Sequence, residues 1–170
     1  MKKLEELITT YKDFPQKGIN FKDVLAIIQE PEVFNGLILK MSSSNILKKS
    51  EAIISIDARG FIFGSALALQ SSKPMIVARK PGKLPGELIT EKYKLEYGEN
   101  SLSIQKNSLI KYNSYAIVDD LLATGGTVEC VANLLKRHDK KILGLLTVVE
   151  LVDLKGRNKF NFPVESSITF

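Results

Sequence analysis

Four short apolar runs, each closed by polar residues, constrain this chain more than any other feature. They are AIISID at 52–57, PMIVARK at 74–80, YAIVDD at 115–120 and ILGLLTVVELV at 142–152. Runs of this length without alternation predict strands covered on both faces. Helical spacing lies between and after them, in ARGFIFGSALALQ and in Val128, Val131, Ala132 and Leu135. Strands that alternate with helices predict an α/β fold: a mainly parallel sheet with helices on both faces. A chain of 170 residues is long enough for one such domain and too short for two comfortable ones.

The flanking segments complete the pattern. Leu4, Leu7, Ile8 and Tyr11 predict a helix over 2–11, and Val33, Leu37, Ile38, Met41 and Ile46 a second over about 32–49. DFPQKGINFKD, broken by Pro15 and Gly18, reads as a loop. Between the second and third apolar runs, GELITEKYKLEYGENSLSIQKN alternates apolar and polar residues around Gly98. That predicts two exposed strands joined by a turn, an inserted flexible lid over about 84–106.

Composition narrows the setting. No apolar run approaches the ~20 residues of a membrane span, so no membrane partner is expected. The N-terminus has no unbroken apolar stretch followed by a cleavage site, and Cys130 is the single cysteine. Both point to a cytoplasmic location. The net charge is +5, but the lysines are scattered rather than blocked, so a phosphorylated small molecule is expected in preference to nucleic acid. Arginine occurs only at 59, 79, 137 and 157, and in a lysine-rich chain each arginine invites a specific role.

The stretch VDDLLATGGT at 118–127 carries the functional signal. It places Ala123, Thr124, Gly125, Gly126 and Thr127 at the carboxyl end of a strand and the start of a helix. Backbone N–H groups, the helix dipole and two hydroxyls suit a phosphate there. Asp119 and Asp120 would repel that phosphate, so they should face another part of the ligand. Vicinal sugar hydroxyls fit them, and a divalent metal nearby is compatible. Neither GxxxxGK[ST] nor GxGxxG occurs in the chain.

The same ten residues resemble the phosphoribosyl pyrophosphate signature of type I phosphoribosyltransferases. DFPQKGINFKDV, IDARGFIFG, RKPGKLPGE with YKLEYG, and VVELVDLKGR agree with the adenine-specific branch in order. Ala123 stands where enzymes for 6-oxopurines carry an aspartate, which favours adenine. The resemblance implies transfer of a phosphoribosyl group from 5-phosphoribosyl 1-pyrophosphate to adenine, giving AMP and pyrophosphate, with Mg²⁺ held mainly through the pyrophosphate. It also implies a homodimer and a role in purine salvage. Two alternatives stay open: a precursor-sensing regulator that binds nucleic acid, or the same reaction with another base such as xanthine.

Residue roles follow from that resemblance. Asp119 and Asp120 would hold the ribose hydroxyls, and residues 123–127 the 5′-phosphate. Asp57, Ala58 and Arg59 would form the pyrophosphate loop, with Arg79, Lys80 and Lys83 adding positive charge. Within a base-binding segment over 1–30, Phe21 would stack on adenine while backbone groups of Asn20 and Lys22 read its edge. Glu96 and Tyr97 on the lid would join Arg59 as catalytic residues. Cys130, His138, Arg137 and Arg157 receive no chemical role.

Overall fold

The N-terminal stretch forms a hairpin where helical spacing predicted a helix. One 3-10 turn covers Leu4–Leu7, and Thr9–Tyr11 (β1) then pairs antiparallel with Phe21–Asp23 (β2). Two adjacent β-branched threonines favour extended backbone, and a short helix has little to offset its nucleation cost. The connecting loop contains a cis Phe14–Pro15 peptide, and Gly18 N donates to Asp13 Oδ1 at 2.6 Å. The computed structural model describes residues 4–95 and 98–170.

Two helices, Pro31–Ser42 (α1) and Asn45–Lys49 (α2), stand where the spacing predicted one. Ser44 divides them: its side chain accepts from Ile46 N at 3.0 Å and caps α2. Serine competes with helical backbone in this way, so a serine run is a natural break.

The sheet region then begins with Ala52–Ile56 (β3), Gly60–Ser71 (α3) and Met75–Ala78 (β4). Leu88–Leu95 (β5) and Gly98–Gln105 (β6) form the antiparallel hairpin, followed by the one-turn Lys106–Leu109 (α4). Ser114–Leu122 (β7), Gly126–Arg137 (α5), Lys141–Glu150 (β8) and Val164–Thr169 (β9) complete the chain. Strand order is β4-β3-β7-β8-β9, and every neighbouring pair is parallel.

Alternate strand residues separate two cores. Ile53, Ala116, Val118 and Leu146 pack with Leu37, Ile38, Met41, Phe63 and Leu67 from α1 and α3. Ile54, Ile56, Tyr115, Ile117 and Leu145 pack with Val128, Val131 and Leu135 of α5 on the other face. The expected α/β sheet is therefore present, with helices on both sides.

Two features depart from expectation. β9 is a fifth strand, and its sequence VESSIT gave no apolar run; only Ile168 in it is buried, as an edge position allows. The hairpin is not simply exposed either, because Leu102 and Ile104 are fully buried against α5 and the end of β4. Glu91 holds it there, accepting from Arg137 Nη1 at 2.6 Å while Cys130 Sγ donates to its carbonyl at 3.3 Å. Among the described residues, no helix is long and apolar enough to cross a membrane.

Candidate active site

The carboxyl ends of β3 and β7 open into a cleft of about 370 Å³, lined by residues 56–59 and 119–128. Both segments singled out by sequence meet there. Ligands favour this edge of an open parallel sheet, where the chain leaves each strand for a helix.

One side of the cleft, where sequence placed a phosphate, is built by the turn between β7 and α5. Gly125 has φ +81° and precedes the first residue of α5, so no side chain caps that helix. Its first-turn N–H groups are consequently left to donate to an anion in the cleft. A Cβ at Gly125 would lie 2.9 Å from Gly156 O and 3.0 Å from Phe160 Cζ. Glycine is thus required there both by conformation and by space.

The acid pair lines the same cleft. Asp119 and Asp120 are only 8% and 6% exposed, and Asp120 N donates to Asp119 Oδ1 at 2.9 Å. Burial, followed by the Asp120 charge, pushes the Asp119 carboxyl well above its ordinary value. Burial raises Asp120 as well, with Arg59 pulling it back. Arg59 Nε lies 2.7 Å from Asp120 Oδ2, but that buried oxygen accepts no hydrogen bond among the described residues. The contact is Coulombic, and a directed donor from a ligand would improve it.

The opposite wall is the Asp57–Ala58–Arg59 turn, with a cis Asp57–Ala58 peptide. Asp57 N donates to Ala78 O at 2.9 Å, and Arg79 Nε donates to Asp57 Oδ2 at 2.9 Å. Arg79 therefore fixes the turn by its side chain, and its backbone exchanges two hydrogen bonds with Ser103 of the hairpin. Lys80 and Lys83 are exposed near this rim, outside the cleft lining.

The N-terminal hairpin reaches the same region. Phe21 packs edge-on against Phe14, and the Arg59 guanidinium sits 4.7 Å from its ring centroid. Lys22 turns its ammonium outward, to Thr10 Oγ1 at 2.8 Å and over the Phe170 ring. Asn20 is exposed in the preceding loop. Glu96 and Tyr97 lie outside the described residues.

Sequence reasoning missed the support behind the phosphate turn. Gly156 is buried against Ala123 and Gly125, and Arg157 forks onto the buried Glu150. The LKGR motif marked the place, but a glycine that fits under another loop is invisible until the two loops meet.

A parallel sheet thus brings two buried carboxylates and a glycine-built turn into one cleft at its carboxyl edge. The chain belongs to the phosphoribosyl transferase family, whose phosphoribosyl transferase domain matches residues 24–162, and within it to the adenine phosphoribosyltransferases. It is 76% identical over 168 residues to the adenine phosphoribosyltransferase of Prochlorococcus marinus (strain MIT 9515), covering 99% of this chain and 98% of that one. The corresponding protein of Mycoplasmopsis pulmonis (strain UAB CTIP) is 43% identical over 166 residues, with 97% and 96% covered. Among solved structures, adenine phosphoribosyltransferase from Thermoanaerobacter pseudethanolicus superposes with a TM-score of 0.93 at 37% identity, over 98% of each chain. That from Saccharomyces cerevisiae, complexed with an imino-altritol bisphosphate and adenine, gives 0.90 at 36% identity over 97% and 96%.

Proposed function

We infer that this protein transfers the 5-phosphoribosyl group of phosphoribosyl pyrophosphate to adenine, releasing AMP and pyrophosphate. The observation that carries this reading is the joint presence, in one cleft, of the Asp119–Asp120 pair and the Thr124–Gly125–Gly126–Thr127 turn. A phosphate at one end and a diol at the other match both features together.

In this reading the turn holds the 5′-phosphate and the two carboxylates accept the ribose hydroxyls. The C1′–O bond breaks with its electron pair leaving on pyrophosphate, so positive charge develops on the ribose ring. Buried carboxylates below that ring stabilise it, because a low-dielectric site strengthens their field. Arg59, with Lys80 and Lys83 at the rim, faces the departing anion. Adenine passes its N9 proton to the Glu96 carboxylate as N9 bonds to C1′, with Phe21 stacked on the base and Tyr97 sharing the catalytic role.

Mg²⁺ belongs to this reading as charge neutralisation on the leaving group. Among the described residues, no three His, Cys, Asp or Glu side chains converge into a metal cage. The unsatisfied Asp120 Oδ2 is available to a hydroxyl or a metal-bound water, which fits an ion held mainly through substrate oxygens. A cytoplasmic homodimer is part of the same proposal, and a single reduced, buried Cys130 agrees with that compartment.

The test is an assay with Mg²⁺, phosphoribosyl pyrophosphate and adenine, hypoxanthine, guanine or xanthine in parallel. AMP from adenine alone, lost in Asp119→Ala/Asp120→Ala, is expected. Product from a different base would overturn the specificity.

A further inference from the structure

The segment behind the phosphate turn is built more elaborately than a surface loop requires. After β8 the chain makes two 3-10 turns, Val152–Leu154 and Gly156–Lys159, joined by Lys155 at φ +52°. That left-handed conformation is uncommon for lysine, so neighbouring contacts must hold it. Immediately after it, Gly156 presses backbone to backbone on the phosphate turn. A Cβ at Gly156 would collide with the Ala123 carbonyl oxygen and stand 3.1 Å from Gly125 N.

Arg157 anchors this arrangement. Its Nε donates to Glu150 Oε1 at 2.6 Å and its Nη2 pairs with Oε2, while Ser166 Oγ from β9 also donates to Oε2. Glu150 is the last residue of β8 and its side chain is 2% exposed, whereas that of Arg157 is 48% exposed and covers it from outside. Planar two-point pairing fixes direction as well as distance. Two further attachments, Leu151 N to Leu122 O at 2.9 Å and Lys159 Nζ to Glu129 Oε2 at 3.0 Å, bracket the same turn, while Val152 N donates to Phe170 O at 2.9 Å.

We propose that Glu150 and Arg157 are positioning residues for the phosphate turn. Their fork seats Gly156 against Ala123 and Gly125, and so sets where the turn presents its N–H groups to the 5′-phosphate. The proposal rests on the reading that residues 123–127 hold that phosphate. It assigns function to a pair lying outside the cleft, which neither touches substrate nor carries a step of the reaction. Because the pyrophosphate side is built from residues 57–59, loss of the fork acts on one end of the substrate only.

The experiment compares Arg157→Ala, Arg157→Lys and Gly156→Ala with Thr124→Ala/Thr127→Ala and the unmodified chain. Binding of AMP and of ribose 5-phosphate, which carry the 5′-phosphate, is titrated beside inorganic pyrophosphate with Mg²⁺, which does not. Arg157→Ala and Gly156→Ala are expected to weaken AMP and ribose 5-phosphate by about tenfold or more, as misplacement of positioning groups does. Pyrophosphate should stay within about twofold under the same displacement. Arg157→Lys should fall between Arg157→Ala and the unmodified chain, and KM for phosphoribosyl pyrophosphate should rise more than kcat falls.

Equal loss for AMP and pyrophosphate would mean a merely structural pair and overturn the proposal. Loss of AMP in the threonine double variant, with AMP retained in all three others, would overturn it while leaving the phosphate reading intact. Retention of AMP in all four variants would remove the phosphate reading and the proposal with it. If Arg157→Ala does not fold, Arg157→Lys and Gly156→Ala decide by the same criteria.

Discussion

Arg59 Nε lies 2.7 Å from Asp120 Oδ2, and the same guanidinium is centred 4.7 Å from the Phe21 ring. One side chain therefore spans the carboxylate proposed for the ribose and the aromatic face proposed for the base. Its charge offsets part of the buried acid pair, and its flat face covers apolar surface that adenine would otherwise fill. Ligand binding must exchange these contacts for its own.

The Asp119 carboxyl is raised in the folded chain, first by burial and then by Asp120. A carboxyl with a raised folded value binds more protons folded than unfolded, so stability falls as pH climbs above its unfolded value. At neutral pH, Asp119→Asn should therefore stabilise the ligand-free protein, by about 1 kcal/mol or a Tm rise of about 2–4 °C. The same variant should lose about a hundredfold or more in kcat. Thermal unfolding beside steady-state kinetics checks both, and a lower Tm contradicts the account.

Removing the Arg59 charge should act on pH dependence. Arg59 lowers both Asp119 and Asp120, against burial. Arg59→Gln should move the acidic limb of residual kcat/KM to higher pH, since the pair then ionises less readily. A limb that stays in place would show that the pair does not govern it.

Phe21→Ala should raise KM for adenine about tenfold, the scale of one lost base stack. KM for phosphoribosyl pyrophosphate should change far less, because the phosphate turn lies on another element. Phe21→Tyr should retain most of the adenine affinity. Comparable loss for both substrates would place Phe21 in the core rather than at the base.

Glu150 is held below its ordinary value of 4.5 chiefly by its hydrogen bonds from Arg157, with Ser166 contributing and burial opposing. A depressed carboxyl stabilises the fold above its unfolded value and loses that contribution as pH falls through the folded one. Glu150→Gln should cost about 2 kcal/mol at pH 7, the scale of a charged hydrogen bond. The difference from the unmodified chain should shrink as pH falls from 4.5 through the lower folded value, where Glu150 takes up its proton. Tm values for the two chains between pH 3 and pH 7 measure this.

Much of the central sheet was legible because a strand buried on both faces cannot avoid an apolar run. Ile53, Ile54 and Ile56, or Ala116, Ile117 and Val118, serve two cores at once, and Ser55 is the one polar residue within β3. Strands with less burial gave weaker signals. β9 carries only one buried residue, so its pairing with β8 had no periodic trace. At the N-terminus, the spacing of Leu4, Leu7, Ile8 and Tyr11 suited a helix, but pairing of Thr9–Tyr11 with Phe21–Asp23 overrode it. Local preferences there are small, and a strand partner beyond the connecting loop decides between them.

By itself the sequence determined the layered sheet and the composition of the cleft: an acid pair, a Gly-Gly turn and a strand-end arginine. Both follow from short-range rules, burial period in one case and donor or acceptor chemistry in the other. Tertiary structure alone decided that Arg59 would span Asp120 and Phe21, that Arg79 would serve Asp57, and that Arg157 would reach Glu150 beneath the phosphate turn. A long cation can meet many carboxylates, and its partner is chosen by which elements the folded sheet brings within a few ångströms.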